Sequence, residues 1–268
     1  MLRSLKDLEG YAVSATDGDI GSVVSFLLDD ERWTVRYLVV DAGGFLDGRQ
    51  VLISPISFRQ VESSGRRFHL ALTMSQVKES PKVDVNEPVS RQYEQEYHRY
   101  YGYPYYWGLP GLWGMGASPD SLAGVAWNEA AALQSDQTGD AHLRGAAEVG
   151  GYQIEGNDGA IGRVDDFIVD DETWQIRYLV IDTSSWWFGK KVLVAPQWAS
   201  RVSWEEGRVY VDMTRQAIKN SPEWDSIAAV NREYELRLYD YYGRPVYWDS
   251  DDRAPGAPPP HHSASHTG

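Results

Sequence analysis

Residues 29–41 read DDERWTVRYLVVD, and residues 170–182 read DDETWQIRYLVID. In each, an acidic turn delivers a run of β-branched and aromatic residues. Alternate members, Trp33, Val35, Tyr37 and Val39 in one run and Trp174, Ile176, Tyr178 and Val180 in the other, are expected on one face of a strand of period two. The two runs lie 141 residues apart, and the register extends without a gap from Gly10-Tyr11 against Gly151-Tyr152 to Tyr106-Trp107 against Tyr247-Trp248. Over residues 10–41 and 151–182, 17 of 32 positions are identical. Later anchors include Gly48/Gly189, Pro55/Pro196, Thr73/Thr214, Ser80-Pro81/Ser221-Pro222 and Tyr100-Tyr101-Gly102/Tyr241-Tyr242-Gly243. The chain is an internal duplication whose period suits tandem domains and is too long for a solenoid.

Working outward within the first copy, Asp17-Gly18 is a hairpin turn, since glycine accepts the positive φ that such a turn needs. Strands are expected over 11–15, 20–28, 33–40, 50–53, 57–62 and 67–72, with Ser63-Ser64-Gly65 as a further turn. Six short strands in some seventy residues are best accommodated by a small barrel, because closure removes exposed edges. Val24 aligns with Asp165 while Val23 aligns with Val164, and this break in the inward pattern predicts a bulge. Residues 87–101 carry tyrosines at 93, 97, 100 and 101 in helical spacing, with Gly102 as the stop; Tyr234, Leu238, Tyr241, Tyr242 and Gly243 repeat the pattern. A Tyr-Trp pair follows each helix and is expected to turn the chain back onto its own domain.

The expected fold class is therefore all-β with short helices, built as two small six-stranded barrels in tandem. Domain 1 covers residues 1–107 and includes a C-terminal helix. Residues 108–147 are a linker that opens GLPGLWGMGASP and continues through an Ala-rich, helical piece near residues 128–134. Domain 2 covers 148–248, and the Pro-, Ser- and His-rich tail 249–268 has too little apolar content to bury a core.

Composition narrows the function. The 268 residues carry a formal charge of −14 and no cysteine, and the longest basic clusters are the pairs Arg66-Arg67 and Lys190-Lys191. Nucleic-acid binding is disfavoured, and disulfide, thiolate and zinc-thiolate chemistry is excluded. The first ten residues lack the apolar segment of a signal peptide, no window approaches a membrane span, and the expected location is cytoplasmic.

The elements Asp17-Gly18 with Ile20-Gly21, Arg36 to Asp41, and the Gly48, Val51, Pro55 spacing resemble the PRC-barrel family. The second copy carries them as Asp158-Gly159, Ile161-Gly162, Arg177 to Asp182, Gly189, Val192 and Pro196. The resemblance covers 70 to 80 residues of each copy. That family includes the cytoplasmic domain of the photosynthetic reaction centre H subunit and the C-terminal domain of a ribosome-maturation factor. It implies a six-stranded barrel used for protein contacts and no transferable catalytic residues, so the matched glycines and aspartates are read as turn residues.

No G-x-S-x-G, Walker or H-E-x-x-H motif occurs, and His69 and His98 align with tyrosines, so no catalytic, cofactor or metal residue is assigned. The Asp29-Asp30-Glu31 and Asp170-Asp171-Glu172 clusters lack the spacing of a calcium loop and read as solvated hairpin tips. Asp41 and Asp182 read as turn acceptors. The most unusual local composition is the aromatic tract through Tyr103, Tyr105, Tyr106 and Trp107 to Trp113. With Trp186, Trp187 and Phe188 at a loop tip of the second copy, it forms the candidate interaction surface, set against plain packing on the barrel. The expected function is a non-catalytic protein-interaction module of unknown partner, with barrel 1 against barrel 2 as a fused homodimer. Two other classes stand beside it: an accessory factor in ribosome or RNA assembly, and a metal-dependent or carbohydrate-active enzyme with carboxylates converging in a pocket.

Overall fold

The computed structural model describes residues 1–46, 48–84, 88–125, 142–184, 190–225 and 230–248. The expected helix at 128–134, Trp186, Trp187, Phe188 and the tail lie outside the described residues. The first copy contains β1 (Leu2–Ser4), α1 (Leu5–Leu8), β2 (Ala12–Ser14), β3 (Asp19–Asp29), β4 (Thr34–Asp41), β5 (Gln50–Ile53), β6 (Phe58–Glu62), β7 (Arg67–Leu70), α2 (Met74–Lys78) and α3 (Arg91–Tyr101). The second repeats them as β8 (Leu143–Gly145), α4 (Ala146–Val149), β9 (Gln153–Gly156), β10 (Gly159–Asp170), β11 (Ile176–Asp182), β12 (Lys191–Val194), β13 (Ala199–Ser203), β14 (Arg208–Val211), α5 (Arg215–Asn220) and α6 (Arg232–Tyr242). The last five residues of the segment read as linker are thus where β8 lies and α4 begins.

The molecule is mostly β, with two seven-stranded mixed sheets. One runs β5-β4-β3-β2-β7-β6 and the other β12-β11-β10-β9-β14-β13; the β2–β7 and β9–β14 pairs are parallel and the rest antiparallel. Among the described residues no backbone ladder joins β5 to β6 or β12 to β13, so strand pairing alone does not close the expected barrels. At the β5 edge the helix supplies partners instead: the Tyr97 hydroxyl donates to Leu52 O at 3.2 Å and accepts from Ser54 N at 3.0 Å.

The seventh strand of each sheet comes from the other copy. β1 pairs antiparallel with β10, placing Leu2 opposite Asp170, and β8 pairs antiparallel with β3, placing Leu143 opposite Asp29. The hairpin tips also meet. Val35 N donates to Trp174 O at 2.8 Å, Ile176 N to Trp33 O at 2.7 Å, and Thr34 bridges Gln175. Each of these contacts maps onto its partner when residue n is exchanged with n + 141, so the copies are related by an approximate twofold through Thr34 and Gln175.

The bulge expected at Val24 and Asp165 is present, as register shifts between Val23 and Ser25 and between Val164 and Asp166. A second shift lies in each β-hairpin: Leu27 pairs Tyr37 and Leu28 pairs Val35, leaving Arg36 outside the ladder; Arg177 stands likewise in the second copy. This shift overturns the expected single face. Val35, Leu38 and Val40 enter the main core, whereas Tyr37 and Val39 face α3 in a separate cluster with Leu52 and Tyr97.

Trp33 and Trp174 leave their strands altogether, at φ of 50° and 60°. A non-glycine residue there costs on the order of 1–2 kcal/mol, and burial against the other copy offsets it. The Trp174 ring lies 5.2 Å from Phe58 and 6.1 Å from Phe68, while Trp33 lies 6.1 Å from Trp204. One contiguous apolar core therefore spans both copies. The glycine of Ile20-Gly21 is likewise not a turn residue. A Cβ at Gly21 would stand 1.8 Å from Asp41 O, and one at Gly162 2.3 Å from Asp182 O, so close backbone approach demands glycine at both.

Candidate interaction site: the inter-copy clasp and the aromatic tract

The acidic hairpin tips are a clasp and not solvated turns. Asp29 Oδ1 accepts from Glu31 N and Arg32 N, both at 3.0 Å, which fixes the turn, and Asp170 Oδ1 accepts from Glu172 N at 3.1 Å. The next aspartate of each triplet holds an arginine of the exchanged strand. Arg144 Nε donates to Asp30 Oδ2 at 2.8 Å, and Arg3 Nε to Asp171 Oδ2 at 2.5 Å. Burial pushes the Asp30 carboxyl up against the pull of Arg144. The α-amino group of Met1 adds a 2.5 Å contact to Asp171, where His142 faces Asp30 at 3.3 Å in the twofold-related position.

The bulge arginines organise the second layer. Arg36, fully buried, donates from Nε and Nη2 to Asp29 Oδ2 at 3.2 and 2.8 Å, and from Nη1 to Leu112 O at 2.8 Å. Its guanidinium lies 3.9 Å from the Tyr106 ring centroid and 4.7 Å from that of Trp113, a cation–π stack closed from water. Arg32 donates to Tyr106 O and Leu109 O at 3.0 and 2.7 Å. Trp113 Nε1 donates to Thr173 O at 2.7 Å, tying the segment after Trp107 to the hairpin of the second copy.

The aromatic tract is thus consumed inside the chain. Tyr105, Tyr106, Trp107 and Trp113 are all buried, Trp113 completely, and Tyr103 is half-buried and stacked 5.4 Å from Tyr101. Tyr105 stacks on Trp107 at 4.3 Å, and Arg91 covers Trp107 at 4.4 Å. The four buried side chains serve as interior and not as an exposed contact face, because arginines and neighbouring rings already occupy their flat sides, while Tyr103 stays half-exposed at the edge. Among the described residues, the large apolar side chains that face solvent include Leu109, Met115, Val125, Tyr100, Leu236 and Tyr241.

Beneath the tract lies a buried polar cluster that sequence reasoning missed. Glu94, fully enclosed, accepts from Tyr37 Oη at 2.9 Å and Tyr106 Oη at 2.6 Å on one oxygen and from Arg91 Nη1 at 2.6 Å on the other. Burial pushes its carboxyl up to about 7 against the pull of Arg91. His98 Nε2 contacts Tyr37 Oη at 3.1 Å and Nδ1 contacts Pro104 O at 3.0 Å; burial holds it neutral, down to about 3. The second copy rebuilds the cluster with Glu235, Tyr178, Tyr247 and Arg232, and with Tyr239 in place of His98. The signal was legible in principle, since both copies place Tyr, Arg-x-x-Glu and Tyr at matching positions.

A cleft of about 480 Å³ opens where α1 meets β10, with Glu9, Asp165, Asp166 and Asp182 among its walls. Three of these carboxylates are already engaged. Asp165 bridges Lys6 and Lys191 at 2.7 and 2.8 Å, Asp166 takes Ser4 Oγ together with Lys6 N and Phe167 N, and Asp182 takes Ser184 N. Among the described residues no three His, Asp or Glu side chains gather as a metal site, and no helix is long and apolar enough to cross a membrane.

The family model for the PRC-barrel domain matches twice, over residues 2–73 and 144–218. The chain belongs to the PRC-barrel family. Both matches begin within or beside the exchanged strands β1 and β8, so the PRC-barrel repeat takes in the segment that crosses to the other copy. The chain is also similar to an uncharacterized protein of Deinococcus radiodurans, 35% identical over 104 residues, covering 34% of this chain and 37% of that protein.

Proposed function

We propose that this PRC-barrel protein is a non-catalytic interaction module of the cytoplasm, in which two barrel-like domains act as one fused pseudo-dimer and hold a protein partner on their joint surface. The reciprocal exchange of β1 and β8 carries the proposal. It makes a single body of the two copies, and it commits the charged and aromatic side chains of the repeat to holding that body together. The Glu94 and His98 cluster, whose perturbed acidities would suit a catalytic site, is enclosed on every side and serves as a buried strut.

The test is affinity capture from the native lysate at moderate salt, comparing the full chain with a full-length variant in which Arg3→Ala and Arg144→Ala loosen the clasp. A partner enriched by the parent chain and reduced roughly tenfold by the variant, with circular dichroism unchanged, supports a joint surface. Equal capture by both chains refutes the joint surface, and turnover of a small-molecule substrate by the purified chain refutes the non-catalytic assignment.

A further inference from the structure

The duplication is its own control for which side chains the fold requires. The cleft of about 480 Å³ lies where the copies join, walled by Leu5, Lys6 and Glu9 from the first and by their counterparts at n + 141, Ala146, Ala147 and Gly150, from the second. The shorter side chains of the second set leave the space open. Along β10 the change runs the other way: Arg163, Asp165 and Asp166 stand where β3 has Ser22, Val24 and Ser25. Both strands carry the same bulge and pair with equivalent neighbours, so the fold forms without these charges, and gathering them in a cleft costs free energy. Part of the set is matched internally. Asp165 holds Lys6 and Lys191, and Asp166 takes the neutral donors Ser4 Oγ, Lys6 N and Phe167 N. Two charged side chains of the cleft stay uncommitted. Among the described residues Glu9 makes no side-chain hydrogen bond or ion pair, Arg163 reaches only Gly151 O at 3.4 Å, and the two do not pair with each other. Partial burial and then Asp166 push the Glu9 carboxyl up against the pull of Lys6.

We propose that this cleft binds a small zwitterion, an apolar amino acid, with its carboxylate on Arg163, its ammonium on Glu9 and its side chain against Leu5, Ala146 and Phe167. A guanidinium and a carboxylate that line one cleft without meeting are complementary to a ligand that carries both charges, whereas a ligand with a single charge leaves one of them unmatched. Arginine suits the carboxylate, because its planar fork can give two parallel hydrogen bonds. The volume is within the range of small-ligand clefts, roughly 300–1,000 Å³, and the apolar walls give the side chain a surface to cover. A bare metal ion fits less well, since among the described residues no three His, Asp or Glu side chains gather. Glu9 belongs to the first copy and Arg163 to the second, so the ligand bridges the joint of the fused pair. Such a site is independent of the protein partner proposed above.

The test is titration of the full chain, read by calorimetry and ligand-observed NMR at about 0.15 M salt, which screens diffuse attraction to the acidic surface. The probes are L-leucine and its two singly charged analogues, 3-methylbutylamine and 4-methylpentanoate. Saturable binding of one leucine per chain is expected, with each analogue weaker by roughly tenfold or more. Glu9→Gln and Arg163→Gln should each weaken leucine by a similar factor, and both positions are exposed, so the fold should survive, as circular dichroism would verify. Ala147→Trp, which fills the cleft from an exposed position, should abolish binding. Absence of saturable leucine binding overturns the site. Binding of either analogue as tight as that of leucine overturns the zwitterion, and leucine binding indifferent to all three substitutions places the ligand elsewhere and overturns the cleft.

Discussion

Replacing Glu94 by glutamine should change how stability depends on pH, in a direction the burial of the carboxyl dictates. The group has its ordinary value of 4.5 in the unfolded chain and is pushed up to about 7 in the folded one, burial outweighing the pull of Arg91. Below pH 4.5 it is protonated in both states and its contribution to stability is fully present. Between 4.5 and 7 the folded state holds the proton more tightly, so stability falls as pH rises, and above 7 the loss is complete. At 1.36 kcal/mol per tenfold in proton affinity the loss amounts to about 3 kcal/mol. Glutamine keeps an oxygen for Tyr37 and Tyr106 but turns an amide N–H toward Arg91, at a cost of about 1 kcal/mol. E94Q is therefore expected to be slightly less stable than the parent at pH 4.5 and more stable by about 2 kcal/mol at pH 8. Neutral burial of His98 gives the opposite slope below pH 6.5 in both chains, and it cancels in the difference. Urea unfolding of both chains from pH 4.5 to 8, with slopes compared to confirm equal exposure, reads the effect. A difference that stays constant across this range, or that turns against E94Q as pH rises, refutes the argument.

Trp174→Ala empties a site between Phe58 and Phe68 of the other copy and should cost about 3–5 kcal/mol in urea unfolding; a loss under about 1 kcal/mol would mean that Trp174 does not plug that core. Arg3→Ala combined with Arg144→Ala removes both clasp pairs, and amide exchange of Leu2–Ser4 and Leu143–Gly145 should quicken while β4 and β11 stay protected. Uniform protection would show that the clasp does not hold the exchanged strands. Gly21→Ala drives a methyl into Asp41 O and should unfold the chain several degrees lower, whereas Gly10→Ala, with open space at its Cβ, should act only through its positive φ, at about 1 kcal/mol; equal effects would refute the close-approach reading.

Six strands of each copy, the helices α3 and α6 and the duplication were legible in the sequence because each is written locally; the short helices α1, α2, α4 and α5 were not, and Gly18 turns without the positive φ expected of it. Period-two runs mark β4 and β11, and Gly102 and Gly243 end α3 and α6 in the left-handed conformation expected of a helix stop. The misalignment at Val24 and Asp165 marks a bulge in the sequence pattern alone, and the register shifts stand there. The exchange of β1 and β8 was not legible, since Leu-Arg-Ser and Leu-Arg-Gly are too short to carry a period, although Leu2-Arg3 and Leu143-Arg144 repeat at the duplication spacing. Nor could the sequence say that Trp33 and Trp174 cross to the other copy, that Asp30 and Asp171 face arginines of an exchanged strand, or that Tyr106 and Trp113 enclose Arg36. An aspartate triplet in a turn and a tyrosine-rich tract have the same local pattern whether they meet water or each other. What decides between these is whether a segment distant along the chain arrives to desolvate them. That depends on the path of the whole backbone through the twofold at Thr34 and Gln175, where burial, the arginine pairs and the cation–π stacks are all formed at once.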